Sequence, residues 1–263
     1  MNKTAIVTGG SSGIGLQTAL SLHQDHDYDV YVLSRHEFEM EGLHHFCCDV
    51  SNEEEVRKTV ERIIREAGRL DLVVNCAGMG ISGALEFTEH QQARTLFDVN
   101  FFGTVNVNKA CIGYLRETKG RIINISSVAG VVPIPFQSFY SASKAAINSY
   151  SLALANELKP FGISVCAVMP GDTATGFTAA RKKSEEGDDL YSGRISRSVS
   201  RMEKDELNGT DSAVSGKTIA SLAASGHLPP LYTIGFSYKL VNILIRILPV
   251  SLAQKLIYLL YAR

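Results

Sequence analysis

Long apolar runs are missing from this chain. A membrane-spanning helix needs about 20 uninterrupted apolar residues. The most apolar stretch, 236–263, is interrupted by Arg246, Pro249 and Lys255, so no span is expected. Excess charge of one sign is missing too. A formal net charge of −1 over 263 residues gives no electrostatic footprint for a nucleic-acid partner. Metal-ligand spacing is also missing. The five cysteines (Cys47, Cys48, Cys76, Cys111, Cys166) are odd in number, with one adjacent pair, and the seven histidines are scattered. No metal site is expected. The thiols read as buried and reduced, in a reducing, cytoplasmic compartment. The first residues, Met-Asn-Lys-Thr-Ala-Ile-Val, enter a strand pattern at once and leave no room for a secretory leader.

What is present is enough for one large domain. Hydrophobic residues make up 45% and charged residues 20%, ordinary for a globular protein, and 263 residues are enough for a full core. Strand patterns at 3–8, 29–33, 44–47, 70–74, 121–125, 163–169 and 228–234 alternate with helical ones. The helices run from Leu16 to about Gln24, from about Glu53 to Ala67, from about Glu89 to Leu115, from about Ser138 to Lys159, and over Thr210–Ala224. Ser51-Asn52-Glu53-Glu54-Glu55 reads as a capping box, and Thr88 as the cap of the third helix. Asn100 and Gly103 mark a kink within that helix. Such alternation predicts a doubly wound parallel sheet over 1–235, with a ligand crevice beyond the strand C-termini.

The candidate residues fall at those ends. Gly9-Gly10-Ser11-Ser12-Gly13-Ile14-Gly15 joins a strand to a helix, where backbone can approach a pyrophosphate and the helix N-terminus supplies N–H groups. Ser34-Arg35 ends the second strand where a carboxylate would mark NAD(H). A guanidinium beside a hydroxyl suits a 2′-phosphate, hence NADP(H), unless Arg35 is a solvated loop charge. Asp49 either accepts from an adenine amino group or caps the next helix. Small residues in Asn75-Cys76-Ala77-Gly78 let a cofactor lie close. Tyr140 and Lys144 share a helix face at i and i+4, so the ammonium is expected to lower the phenol's proton affinity toward neutrality. The same spacing also occurs as a plain surface pair. Ser127 could fix a substrate oxygen for Tyr140.

Together, Thr8-Gly9-x-x-x-Gly13-x-Gly15, Asn75-x-Ala77-Gly78, Asn100, Ser127, Tyr140-x-x-x-Lys144 and Pro170-Gly171 resemble the short-chain dehydrogenase/reductase family. The resemblance implies a Rossmann-type fold, with Tyr140 as general acid/base and Lys144 as its partner and nicotinamide-ribose ligand. It implies Ser127, thirteen residues before Tyr140, as substrate orienter, and Asn100 as holder of a water relay. The implied cofactor contacts run from Gly9, Ser11, Ser12, Gly13, Ile14 and Gly15 through Ser34, Arg35, Asp49 and Val50. They continue through Asn75, Ala77 and Gly78 to Tyr140, Lys144, Pro170, Gly171, Thr173 and Thr175. The family commonly pairs its long helices between subunits, which implies a homodimer or homotetramer. This chain departs from the pattern in its short crossover after Arg35 and in Cys76, where the family has Asn.

Residues 176–208 carry mixed charge and few large apolar side chains. They are either solvated linker or, as the family implies, a substrate lid with Phe177, Met202 and Leu207 as apolar contacts. The tail, 236–263, reads as two apolar helices broken at Pro249, with Ser251 capping the second. Its charges, Lys239, Arg246, Lys255 and Arg263, are all positive. That suits an anionic membrane surface, or else packing on the domain or on a second subunit. Looser likeness to steroid, retinoid and ketosphinganine reductases adds a hydrophobic substrate. The expected activity is NADPH-dependent interconversion of a ketone or aldehyde and an alcohol. The alternative is an NADP(H)-binding sensor or scaffold without turnover, which would usually lack part of the Ser–Tyr–Lys set.

Overall fold

The first strand, β1 (Lys3–Thr8), sends alternate side chains to opposite faces, as a pleated strand does. Ala5 and Val7 enter one core and Ile6 the other. The structure, a computed structural model, describes residues 2–263. After β1 come α1 (Gly13–His26), β2 (Tyr28–Ser34), β3 (Leu43–Cys47), α2 (Glu53–Ala67), β4 (Leu72–Asn75) and the short β5 (Ile81–Ser82). Next are α3 (His90–Phe97), α4 (Gly103–Thr118), β6 (Arg121–Ile125), α5 (Ser138–Leu158), β7 (Ser164–Met169) and β8 (Thr173–Ala174). Then follow α6 (Phe177–Ala180), β9 (Lys182–Lys183), α7 (Arg194–Leu207), β10 (Thr210–Asp211) and α8 (Ser212–Ala224). The chain ends with β11 (Leu231–Thr233), α9 (Phe236–Ile247) and α10 (Val250–Tyr261).

Seven strands form one parallel sheet in the order β11-β7-β6-β4-β1-β2-β3. Helices α1 and α8 cover one face: Ala19, Leu22, Ile219 and Ala220 pack on Val7 and Val30. Helices α2, α4 and α5 cover the other: Val56, Val107, Leu115 and Leu154 pack on Ile6 and Val73. Each fully buried Ile or Leu contributes about 1.5–3 kcal/mol, so both layers are held by apolar burial. Strand order reverses between β1 and β4, which opens a crevice above their C-termini. Register pairs Thr8 with Asn75, so the two strands end level.

Several boundaries differ from the sequence reading. Helix α1 starts at Gly13, not Leu16, because Ser12 is still extended at φ −159. The long third helix is two helices joined by a π-helical turn, Asp98–Phe102, which is the kink expected at Asn100 and Gly103. Thr88 does not cap it; its hydroxyl donates to the Ala84 carbonyl at 2.9 Å. Asn52, rather than Ser51, caps α2, its Oδ1 accepting from Glu55 N at 3.1 Å. In the tail, Pro249 holds the cap position and Ser251 lies inside α10. Cys47 is exposed rather than buried, because β3 is the sheet's edge strand. The stretch read as lid or linker contains α6 and α7. Two short ladders, β5–β9 and β8–β10, tie it to the body.

Candidate active site

Glycines shape the floor of the crevice. A Cβ on Gly9, whose φ is +63, would come within 2.8 Å of the Ala77 backbone, and one on Gly15 would strike the Gly9 carbonyl. Thr8 Oγ1 accepts from Cys76 N and Ala77 N, both at 3.1 Å, which locks the glycine turn to the turn after β4. Ser12 makes no side-chain cap and the first turn of α1 holds no acidic residue. The helix therefore opens with uncapped N–H groups and positive dipole, which fits a pyrophosphate. Thr175 lies on the far side, its Cβ 3.4 Å from where a Cβ on Gly13 would sit. A dinucleotide therefore fits the residues present, from Gly9 to Thr175.

At the adenine end, Arg35 is exposed just past β2. Ser34 Oγ is engaged internally, donating to the His36 carbonyl at 2.9 Å and bonded to His45 Nε2 at 2.8 Å. Asp49 does not cap α2, which Asn52 does; its Oδ1 accepts from Ser51 N at 2.9 Å and Ser51 Oγ at 2.7 Å in the turn before that helix. Val50 is buried, its carbonyl accepting from Asn106 Nδ2 at 3.0 Å. Asn75 points away from the crevice. Its Nδ2 donates to Asn108 Oδ1 and Asn124 Oδ1, both at 2.8 Å, in a buried amide cluster that the sequence reading missed. Its Oδ1 is buried without a hydrogen-bond partner.

The chemistry gathers on α5. Tyr140 is half-buried, and Lys144, one turn on, is buried. Lys144 Nζ donates to the Ile125 carbonyl at 2.9 Å and lies 5.7 Å from the Tyr140 ring centroid. Ser126 and Ser127 divide their roles. Ser126 Oγ is buried and donates to the Lys144 carbonyl at 2.8 Å, while Ser127 Oγ accepts from Ala129 N at 3.1 Å and borders Tyr140. Asn100, in the π-turn, is fully buried. Its Oδ1 accepts from Met79 N at 2.8 Å, and its Nδ2 donates to the Met79 carbonyl at 3.0 Å and Ser143 Oγ at 3.2 Å. These bonds fix the turn after β4 against α5. Gly78 lies between them: a Cβ there would sit 3.3 Å from Asn100 Oδ1 and 3.7 Å from Lys144 Nζ.

One electrostatic expectation is reversed. The Tyr140 phenol is pushed up to about 12 by burial, with Ser127 and Arg181 pulling the other way. Lys144 is brought down to about 8, again by burial. Desolvation outweighs the attraction expected between them, because both groups sit in low dielectric and the amine bonds a carbonyl rather than the phenol oxygen. Near neutrality the phenol is therefore protonated and the amine mostly charged.

At the nicotinamide end, the Pro170 carbonyl accepts from Val128 N at 3.0 Å, and Thr173 Oγ1 donates to the Gly171 carbonyl at 3.0 Å. Thr175 Oγ1 accepts from Phe177 N at 3.2 Å and so starts the lid. The Phe177 ring stands 5.7 Å from the Tyr140 ring. Met202 is buried with Ile195 and Val199 where the lid packs on Ala84 of the body, as an apolar lid contact, whereas Leu207 faces solvent. The sequence reading missed a buried ion pair, Arg181 with Glu206. It also missed Tyr238, whose hydroxyl donates to Asp172.

The family model described as short chain dehydrogenase matches residues 3–186. A 3-ketodihydrosphingosine reductase of Bacteroides thetaiotaomicron is 45% identical over 233 residues, covering 87% of this chain and 86% of its own. A short-chain dehydrogenase structure from Streptomyces avermitilis superposes with a TM-score of 0.83 at 27% identity, over 97% of this chain and 94% of that one. A structure of ElxO with NADP bound gives a TM-score of 0.75 at 27% identity, over 91% of this chain and 99% of its own.

Proposed function

The chain belongs to the short-chain dehydrogenase family, and we propose that it is an NADPH-dependent reductase of a lipid-like ketone. It is an oxidoreductase acting on CH–OH groups. The observation that carries the finer reading is Tyr140: a half-buried phenol, one helical turn before a buried Lys144, at the mouth of a glycine-floored crevice. A nicotinamide nucleotide, when bound, supplies the hydride. Ser127 holds the carbonyl oxygen, and Tyr140 Oη donates the proton that oxygen needs as it becomes an alcohol. Lys144, charged below about pH 8, stabilises the phenolate left behind. Asn100 keeps the turn after β4 from shifting. Phe177 excludes water over Tyr140.

The substrate class rests on the 3-ketodihydrosphingosine reductase relative and on the apolar tail. The tail's exposed apolar side chains and uniformly positive charge support contact with a membrane surface. The test is NADPH oxidation with a long-chain 2-amino-3-ketone and with matched short ketones. Preference for the long chain is expected; no turnover of any ketone would overturn the reading. A silent sensor is disfavoured because Ser127, Tyr140 and Lys144 are all present and adjacent.

A further inference from the structure

Between the lid helix α7 and the end of α10 lies a cleft of about 550 Å³. Its wall carries three guanidinium groups, Arg197, Arg201 and Arg263, and two apolar side chains, Leu259 and Leu260. None of its lining residues belongs to the crevice set around Tyr140. Its positive charge is poorly balanced. Among the described residues no ion pair forms to Arg197 or Arg263, although Arg197 lies near enough to Asp188 to lower that carboxyl. Arg201 reaches Asp205 only at 4.0 Å and otherwise lies 5.7 Å from the Tyr261 ring. Ser198, also among the lining residues, is 3% exposed, and its Oγ has no hydrogen-bond partner. The cleft therefore holds donors in surplus and asks for an acceptor-rich, anionic group.

The apolar rim says what that group is attached to. Leu259 and Leu260 continue into the exposed face of α10, where Leu252 and Leu256 also stand in solvent, while Ala253 and Ile257 face inward. Phe236 and Ile247 of α9 are 78% and 75% exposed. A face of that kind marks an interaction site. Charge selects the partner: residues 236–263 carry Lys239, Arg246, Lys255 and Arg263 and neither Asp nor Glu. No helix among the described residues is long and apolar enough to cross a membrane. Helices lying in the headgroup layer remain.

We propose that this cleft binds the phosphate of an anionic phospholipid while the exposed side chains of α9 and α10 enter the acyl boundary. The chain then docks on an anionic bilayer through tail and lid together. The proposal rests on the membrane-facing tail read above and adds the headgroup site. Because Glu206, the partner of Arg181, lies on α7, docking also holds the lid helix over the crevice.

The test is sedimentation of the full chain with phosphatidylglycerol and with phosphatidylcholine vesicles. The wild type is compared with an R197Q/R201Q/R263Q variant and a Leu259→Ser/Leu260→Ser variant, each first shown folded by thermal unfolding. The wild type should prefer phosphatidylglycerol by about tenfold or more. The arginine variant should lose about fivefold per arginine on phosphatidylglycerol and much less on phosphatidylcholine, whose phosphate is neutralised by its own choline. The leucine variant should weaken on both. Equal binding of the wild type to both vesicles, or an arginine variant that keeps its preference, would overturn the headgroup site and leave tail contact standing. Full competition by inorganic phosphate would assign the cleft to a soluble phosphate and overturn the bilayer assignment. Binding to neither vesicle, with light scattering showing a stable dimer, would overturn both. Wild-type turnover of a water-soluble ketone, measured alongside, tests the reductase reading separately.

Discussion

Tyr238 Oη donates to Asp172 Oδ2 at 2.6 Å, and its ring lies directly against Gly171. This contact joins α9 to the turn that follows β7, the turn that carries Thr173 and Thr175. Burial raises the proton affinity of Asp172, and the bond from Tyr238 opposes that rise. Tyr238→Phe keeps the ring and strands the carboxylate. It should lower stability by about 1–3 kcal/mol and weaken NADPH binding, whereas Asp172→Asn, which can still accept, should do less. Thermal unfolding and cofactor titration check this; a Tyr238→Phe protein matching the wild type in both would show that the tail is not latched here.

Lys144 imposes a stability penalty that the chemistry needs. Its folded value of about 8 lies below the ordinary 10.5, so the folded state binds fewer protons than the unfolded one between those limits. Stability must then rise with pH through that window. Below pH 8 the full penalty applies. Lys144→Met should therefore be more stable than the wild type near pH 7, by about 1–3 kcal/mol after losing the bond to Ile125. The advantage should shrink between pH 8 and 10.5. Reductase activity should be lost at every pH. Denaturant titrations at several pH values decide; a variant less stable at pH 7 would contradict the burial argument.

The Arg181 side chain is 1% exposed and pairs with Glu206, tying the first turn of the lid to its helix α7. Removing one member of a buried pair costs about 3–5 kcal/mol, while replacing both by apolar groups costs far less. Glu206→Ala should thus open the lid, seen as faster proteolysis within 181–194 and a raised KM. Arg181→Met/Glu206→Leu should restore resistance to proteolysis. If the double variant is cleaved as fast as the single one, the pair is not what holds the lid together.

Arg35 supplies the test of cofactor choice. Arg35→Ala should weaken NADPH by about tenfold, the worth of a charge-assisted contact to phosphate, and leave NADH unchanged. Equal losses for both nucleotides would remove the 2′-phosphate assignment.

Most of the fold was legible because it rests on local signals. The glycine turn, the capped α2 and the strand runs announce themselves within a few residues, and their alternation fixes the sheet. The crevice was legible for the same reason, since Gly9, Ser127, Tyr140 and Pro170 all sit at strand or helix ends. What was not legible depends on partners far along the chain. Asn75 looked like a crevice residue until Asn108 and Asn124 were seen to hold its amide. Arg181 and Glu206 stand 25 positions apart in a stretch whose mixed charge resembles linker. Tyr238 meets Asp172 across 66 positions. The sign of the Tyr140 shift was missed because i, i+4 spacing reports proximity but not desolvation, which here is the larger effect.

The account stands on proton donation by Tyr140, so the most direct measurement is Tyr140→Phe. Single-turnover reduction of a ketone should slow by about 10²–10⁴-fold, while NADPH binding by fluorescence titration stays within about twofold of the wild type. A variant that binds NADPH normally and reduces the ketone at the wild-type rate would contradict it.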